Sequence, residues 1–473
     1  MKRQLIQRML NKLGVPKNMK FADIQEMGYY LRLKLCSCKA EILELIGDWS
    51  SAKKIYYHNL KSAEKVKNEQ FVAECKDKIG MLLLKQGDYQ KSLAYLRAVH
   101  RIYSRFGNRP KIGNALHNLG VIYLYRGDYD KALQCFTQEL TIFTRLRDQK
   151  GICRAVTKIG TVHYYWGEFA QALRAYQKSM KIAQSLNDQA AIGGNLLNMG
   201  TIYYYQGNYH GALKCYTQDL RISQKIGDKQ GTGITLGNLG MVYFSIGNYD
   251  KSLEFYLKDL SISEELHDKL GIANALGNIG IVYSEKGDFS RAFECYKMKL
   301  MICRGMGNKD ETASALGYIG DLYKMQGSFA KAQKFYDQAI KIGRKLKKYY
   351  FLCEWLHNQA EVCYHLRKPT TARKLNHEAL LIAGKMKSDN VIFLGRLLHA
   401  KILLSKNKER GLRELNGLLK EYAGDNERSL LHYELFKITN AQTHRKTALT
   451  LFRRLYRKTP SNQFKEKIIE LKK

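Results

Sequence analysis

Proline is scarce, with four residues in 473, so long stretches are free to run as helix. Long apolar runs are missing as well. No uninterrupted segment approaches the roughly 20 residues that span a bilayer. The basic start MKRQLIQRMLNKLG is broken by charges and amides too often for a secretory leader, and a cytoplasmic location is expected. The ten cysteines contain no C-x-x-C pair, which argues against a zinc or redox site; Cys135, Cys215 and Cys295 recur at one spacing and point to packing. No phosphate-cradling G-x-x-x-x-G-K-[ST] occurs, and GTGITLGNLG at 231–240 lacks both the dinucleotide spacing and a preceding strand. His163, His357, His365 and His377 form no metal-ligand spacing and read as helix-surface or groove histidines. No nucleophile, base and orienter fall together, so neither an enzyme nor a cofactor is expected.

Acidic residues are also few. Against 79 Lys and Arg stand 43 Asp and Glu, a net charge of +36. Residues 341–473 hold 30 basic and 12 acidic residues, so half the excess sits there. A strongly positive field favours an acidic partner.

Glycine, by contrast, is periodic. It occupies 80, 120, 160, 200, 240, 280 and 320, and a second series runs from 47 to 327 in the same steps of forty. Two residues after each member of the second series comes an aromatic, from Trp49 and Tyr89 to Phe329, and then a small residue such as Ala132 followed by a large one such as Phe136. Leu116, Leu119, Gly120 and Tyr123 share one helical face. Gly127 and Asp128 end that helix, and Ala132, Phe136 and Leu140 mark a second. Each unit is therefore an antiparallel pair that must stack to bury its apolar faces. The expected fold is an all-α solenoid of such pairs: a cap over 1–32, repeats over 33–406, and degenerate repeats with a basic cap over 407–473. A leucine at Gly240 would hold the paired helices apart, because glycine there permits close approach to the large residue of the second helix.

These motifs, L-x-x-L-G-x-x-Y at 116–123 and G-x-Y at 127–129, resemble the tetratricopeptide repeat in a forty-residue form. The G-N-L-G asparagine and the ends of the second helices, Asp219 to Asp228 and Asp259 to Asp268, are similar to scaffolds that link cell-polarity and G-protein regulators. Related arrays occur in bacterial multidomain signalling proteins. The resemblance implies a right-handed superhelix whose inner wall, made by the first helices, holds a peptide or partner domain. It further implies that Asn118, Asn198, Asn238, Asn278 and Asn358 hydrogen-bond a partner's backbone or carboxylate. The family's carboxylate clamp places a basic residue one position earlier, whereas this chain has His117, Thr157, Leu197, Gly237, Gly277, Gly317 and His357.

Two readings of that asparagine row stand side by side: contact with a partner's main chain, for which an amide offers both donor and acceptor, or stitching of neighbouring repeats. Gly237, Gly277 and Gly317 are expected to leave room for a partner backbone. Tyr125, Tyr164, Tyr165, Tyr204 and Tyr205 form either an anchoring ladder or interhelical packing. Arg453, Arg454, Arg457 and Lys458 could contact phosphates, which makes a nucleic acid or nucleoprotein the alternative partner. The leading expectation is an interaction scaffold for an acidic protein or peptide, with an adaptor subunit of a signalling assembly as a further possibility.

Overall fold

Helices, most of them capped by asparagine or aspartate, alternate with short turns among the described residues. The computed structural model describes residues 35–44, 47–346, 349–386 and 388–472; the expected cap over 1–32 lies outside them. Among the described residues there is no strand. First helices such as Arg109–Tyr125 and Lys229–Ser245 pair with second helices such as Tyr129–Arg145 and Tyr249–Glu265. We call these A and B helices. The all-α solenoid expected from the forty-residue period is what forms.

Two steric features set the pairing. The first is the A-helix glycine. A Cβ on Gly120 would lie 2.5 Å from Phe136 Cε1, and one on Gly240 would lie 2.7 Å from Tyr256 Cε1. Phe136 and Tyr216 are fully buried, so an added side chain has no space to take. The second feature is the turn. Gly127 has φ +77°, its N–H donates to Leu124 O at 3.0 Å, and Asp128 N–H donates to Tyr123 O at 2.9 Å. This Schellman pair closes the A helix, and the residue after the left-handed one caps the next helix, as Asp88 does by accepting from Lys91 N–H. The B-to-A turns repeat this geometry, with the left-handed position held by Gly107, Arg147, Asn187, Gly227 or His267. Left-handed backbone thus recurs every twenty residues, although glycine marks only every other turn consistently.

Neighbouring repeats are joined through a polar row on the B helices. Glu139, wholly buried, accepts from Arg154 Nε at 2.8 Å and faces His117 Nδ1 at 3.1 Å. Ser179 Oγ accepts from Asn195 Nδ2 at 3.1 Å, Asp219 accepts from Thr235 Oγ1 at 2.5 Å, and Lys299 pairs with Glu311 at 2.6 Å. Asp259 occupies the same row against Gly233 and Gly237. Burial, and secondarily the nearby Asp268 charge, push its carboxyl up to about 7.

The coil also touches itself. Lys269 covers Gly47, and Asp310 covers Gly87, so the first repeats meet repeats more than five units further on. One apolar cluster contains Trp49, Phe71 and Val99 together with Ala273, Cys303 and Met306. The last segment closes a second seam: Pro460 packs on Gly247, and Thr459 Oγ1 donates to Ser245 O across 214 residues at 3.3 Å. The last described helices are Lys408–Glu421, Asp425–Thr439, Gln442–Lys458 and Asn462–Lys472. Cys135 and Cys215 are buried and free, as the packing reading requires.

Gly240→Leu should destabilise the array by about 1–3 kcal/mol through overpacking. Adding Tyr256→Ala should recover part of the loss, which thermal melts of the two variants will measure. Asp259 supplies a pH test. Its folded-state value lies above the unfolded one of 3.8, so the folded protein binds the proton more tightly, and stability is lost as pH rises through that window. Asp259→Asn should therefore raise the melting temperature at pH 8 and leave it nearly unchanged at pH 4. A gain of equal size at both pH values would contradict the assignment.

Candidate functional site

Each A helix leaves only a narrow face accessible. In Arg109–Tyr125 that face consists of exposed Asn114, half-buried His117, Asn118, Val121 and Leu124, and exposed Tyr125. The B helices expose a broader, mostly polar face, for instance Lys131, Gln134, Gln138 and Thr141. The A helices therefore form the inner wall and the B helices the outer one. Repetition every forty residues aligns the six accessible A-helix positions into rows that run across the repeats.

The asparagine row divides in the structure. At its two ends the amides are used internally. Asn118 Nδ2 donates to Asp77 Oδ1 at 2.7 Å, while Asn358 donates to Asp321 at 2.9 Å and accepts from Lys324 at 3.0 Å. These two stitch repeats, which corrects the expectation that they face a partner. Asn198, Asn238 and Asn278 behave differently. All three are half-buried, and no hydrogen bond joins their side chains to another described residue. The stitching between their repeats is carried by the B-helix row of Ser179, Asp219 and Lys299, so it does not require them.

The space beside Gly237, Gly277 and Gly317 is not open. A Cβ there would meet Asp259 Oδ2 at 3.1 Å and Lys299 Cδ at 3.1 Å at the first two positions, and Trp355 Nε1 at the third. These glycines make room for the protein's own side chains, which replaces the expected passage for a partner backbone.

The tyrosines divide as well. Tyr164 and Tyr204 sit between neighbours: the Tyr164 ring is 5.6 Å from that of Tyr205, and Tyr204 Oη lies 2.8 Å from Ser245 Oγ. Burial, then Tyr205, raise the Tyr164 phenol well above its ordinary range. Tyr125, Tyr165 and Tyr205 are 56%, 50% and 58% exposed. They form the outward half of the ladder, although Tyr165 also stacks on Tyr129 at 5.8 Å.

Charge appears on the same wall at either side of the free asparagines. Lys158 takes the asparagine position in its repeat and makes no salt bridge to a described residue; burial lowers its affinity for the proton. Beyond the asparagines, Lys324 pairs with Glu361 at 3.0 Å, and that ammonium holds the Glu361 carboxyl far below its usual range. Glu354 and Asp321 are both pushed up by burial. His357, expected in the groove or on a helix surface, is instead 5% exposed, and burial lowers its imidazole to about 4. Charge and periodicity alone could not reveal this, because the residues that cover it come from neighbouring helices.

At the basic end, Arg453, Arg457 and Lys458 are exposed, while Arg454 is paired with Asp425. Their helix leads directly into the segment that docks on Gly247 and Gly287. No group of three or more metal-ligating side chains occurs among the described residues, and no described helix is long and apolar enough to cross a membrane.

Comparison with known proteins completes the picture. Tetratricopeptide repeat profiles match residues 72–145, 111–185, 193–265 and 232–304, and a second profile of the same repeat matches 312–346. Together they cover more than half of the chain. A search of curated proteins finds no match. Among solved structures, a Rap protein complexed with competence and sporulation factor is 12% identical, over 76% of this chain and 99% of that one, with a TM-score of 0.51. A signal-transduction ATPase with a tetratricopeptide repeat sensor from Pyrococcus horikoshii is 17% identical, over 80% and 67%, at a TM-score of 0.48. The apo quorum sensor NprR from B. thuringiensis is 16% identical, over 74% and 99%, at 0.42. At these identities the likeness is one of fold. Periodic glycines, paired helices and profile matches agree: the chain belongs to the tetratricopeptide repeat family.

Proposed function

We propose that the inner wall captures an extended segment of a partner protein along the A helices from Gln149–Tyr165 to Tyr349–His365, centred on Asn198, Asn238 and Asn278. One observation carries this reading: three aligned, half-buried amides have no side-chain hydrogen-bond partner among the described residues. A mid-helix asparagine lowers helix propensity, and a partner's main chain would satisfy its donor and acceptor together. Exposed Tyr125, Tyr165 and Tyr205 add contact area at the adjoining edge. The Rap protein of similar fold is complexed with competence and sporulation factor, which supports a ligand-binding role for an array of this kind. The net charge of +36 accelerates encounter with acidic partners over long range. A role as the adaptor of a signalling assembly would use the same wall.

Nucleic-acid binding would rest on Arg453, Arg457 and Lys458. That helix is the lead-in to the C-terminal seam, which accounts for its place in the fold.

Replacing Asn198, Asn238 and Asn278 together with alanine should lower affinity for a captured protein partner at least tenfold. The melting temperature should not fall, because three better helix formers replace amides that bond to nothing in the fold. Calorimetric titration and thermal melts on the same samples separate the two effects, and unchanged affinity in a folded variant would end the proposal. Charge reversal of Arg453, Arg454 and Arg457 should leave protein capture within about threefold, an expected surface-charge effect. If a mobility shift with single-stranded RNA persists at physiological salt in the wild type and disappears in this variant, the phosphate reading prevails instead.

A further inference from the structure

The protein's positive charge is not carried into the middle of the groove. Follow the six accessible A-helix rows from Gly194 to Ser284 and no charged side chain appears; Glu285 completes the last row of the third repeat, and the B-helix carboxyl of Asp259 lies beside Gly237. Charge enters only on either side. Upstream stand Arg154 and Lys158. Arg154 is tied to Glu139 at 2.7 Å and to Asn114 at 2.8 Å, while Lys158 makes no salt bridge to a described residue. Downstream, Glu285 is engaged by Ser461 and Asn462 of the C-terminal seam, and Glu361 is matched by Lys324. Asp321 accepts from Tyr336 Oη at 2.5 Å and from Asn358. Glu354, exposed at the rim of the same wall, makes no salt bridge to a described residue. The wall thus presents a cation in no salt bridge to a described residue at one end, a neutral amide row in the middle and a carboxylate in no salt bridge to a described residue at the other, with Glu139 acting on the first and Lys324 on the second only at longer range.

We propose that the occupant of the groove is a protein segment charged at both ends and neutral between: an acidic residue meets Lys158, an uncharged stretch runs along Asn198, Asn238 and Asn278, and a basic residue meets Glu354. The proposal rests on the groove reading and sharpens it from an acidic partner to a dipolar one. Half-buried Lys158 already bears a desolvation cost that an opposite charge offsets, since burial lowers its ammonium, and Glu354 at the exposed rim is open to an incoming cation. Five repeats of roughly 10 Å separate the two, about 15 residues of extended chain. Because the ends differ in sign, the groove also fixes the direction in which the segment lies. The whole-molecule field speeds arrival, and the groove selects among arrivals.

Five synthetic 15-residue peptides of about this span test it, sharing one neutral core rich in Asn, Ser and Leu. Their ends carry Glu then Lys, Lys then Glu, Glu at both, Lys at both, or no charge. Anisotropy titrations run at about 0.15 M salt, where the Debye length is about 8 Å and the distant charges are screened. One Glu/Lys order should bind about tenfold tighter than its reverse and than both uniform peptides. The double variant Lys158→Glu with Glu354→Lys should exchange the preferred order. If that variant melts early, Lys158→Gln alone should erase the preference. Five equal affinities that all collapse in the triple asparagine variant overturn the dipolar occupant and leave the groove reading standing. Tightest binding by the doubly acidic peptide overturns it as well. Absence of binding by every peptide, or binding indifferent to the triple variant, removes the groove reading and the dipolar occupant together.

Discussion

Everything in this molecule hangs on a helix approaching its partner closely enough that one of them cannot carry a side chain. At Gly120 and its equivalents from Gly160 to Gly320 an aromatic ring from the second helix occupies the space a Cβ would need. Glycine costs about 1 kcal/mol relative to alanine at such a position, and the offset comes from a fully buried ring such as Phe136 or Tyr216. Fixing that contact in the six units from Gly120 to Gly320 fixes the distance between layers there. The rows of side chains on the inner wall align because the contact never slips.

Much of this was legible in the letters. The glycine, aromatic and alanine spacings identify the helix pairs and their partners, because steric demands leave few residues that satisfy them. The other turns were less legible. At Arg147, Asn187 and His267 a left-handed backbone is held by residues that do not advertise it; the readable sign was the capping Asp or Asn that follows each, at 148, 188 and 268. Asparagine at 118 and at 198 looks identical in sequence, yet one bonds to Asp77 and the other to no described residue. What separates them is the residue on the neighbouring repeat, a tertiary fact. The same holds for Gly237 and Gly277, whose space is filled by Asp259 and Lys299.

Charge illustrates the limits of composition from another side. A total of +36 suggests a uniformly cationic surface, but position decides where it is felt. From Gly194 to Ser284 the accessible A-helix positions of the inner wall are uncharged, and carboxylates and ammonium groups alternate beyond them. Lys324 and Glu361 stabilise each other's ionised form through one short contact. Net charge governs what drifts toward the protein, while contact chemistry is written by a handful of residues facing inward.

The self-contact of the coil has a consequence for how the chain is made. A solenoid whose units touch only their neighbours can fold unit by unit from its first residues. Here Trp49, Phe71 and Val99 share a cluster with Ala273, Cys303 and Met306, so one side of the earliest repeats stays bare until the later ones exist. At about 5–20 residues per second of synthesis, that interval lasts roughly 10–40 s. During it the nascent array presents apolar surface that its own downstream half will eventually cover, and the growing chain is at its most vulnerable to association well before the ribosome reaches the end.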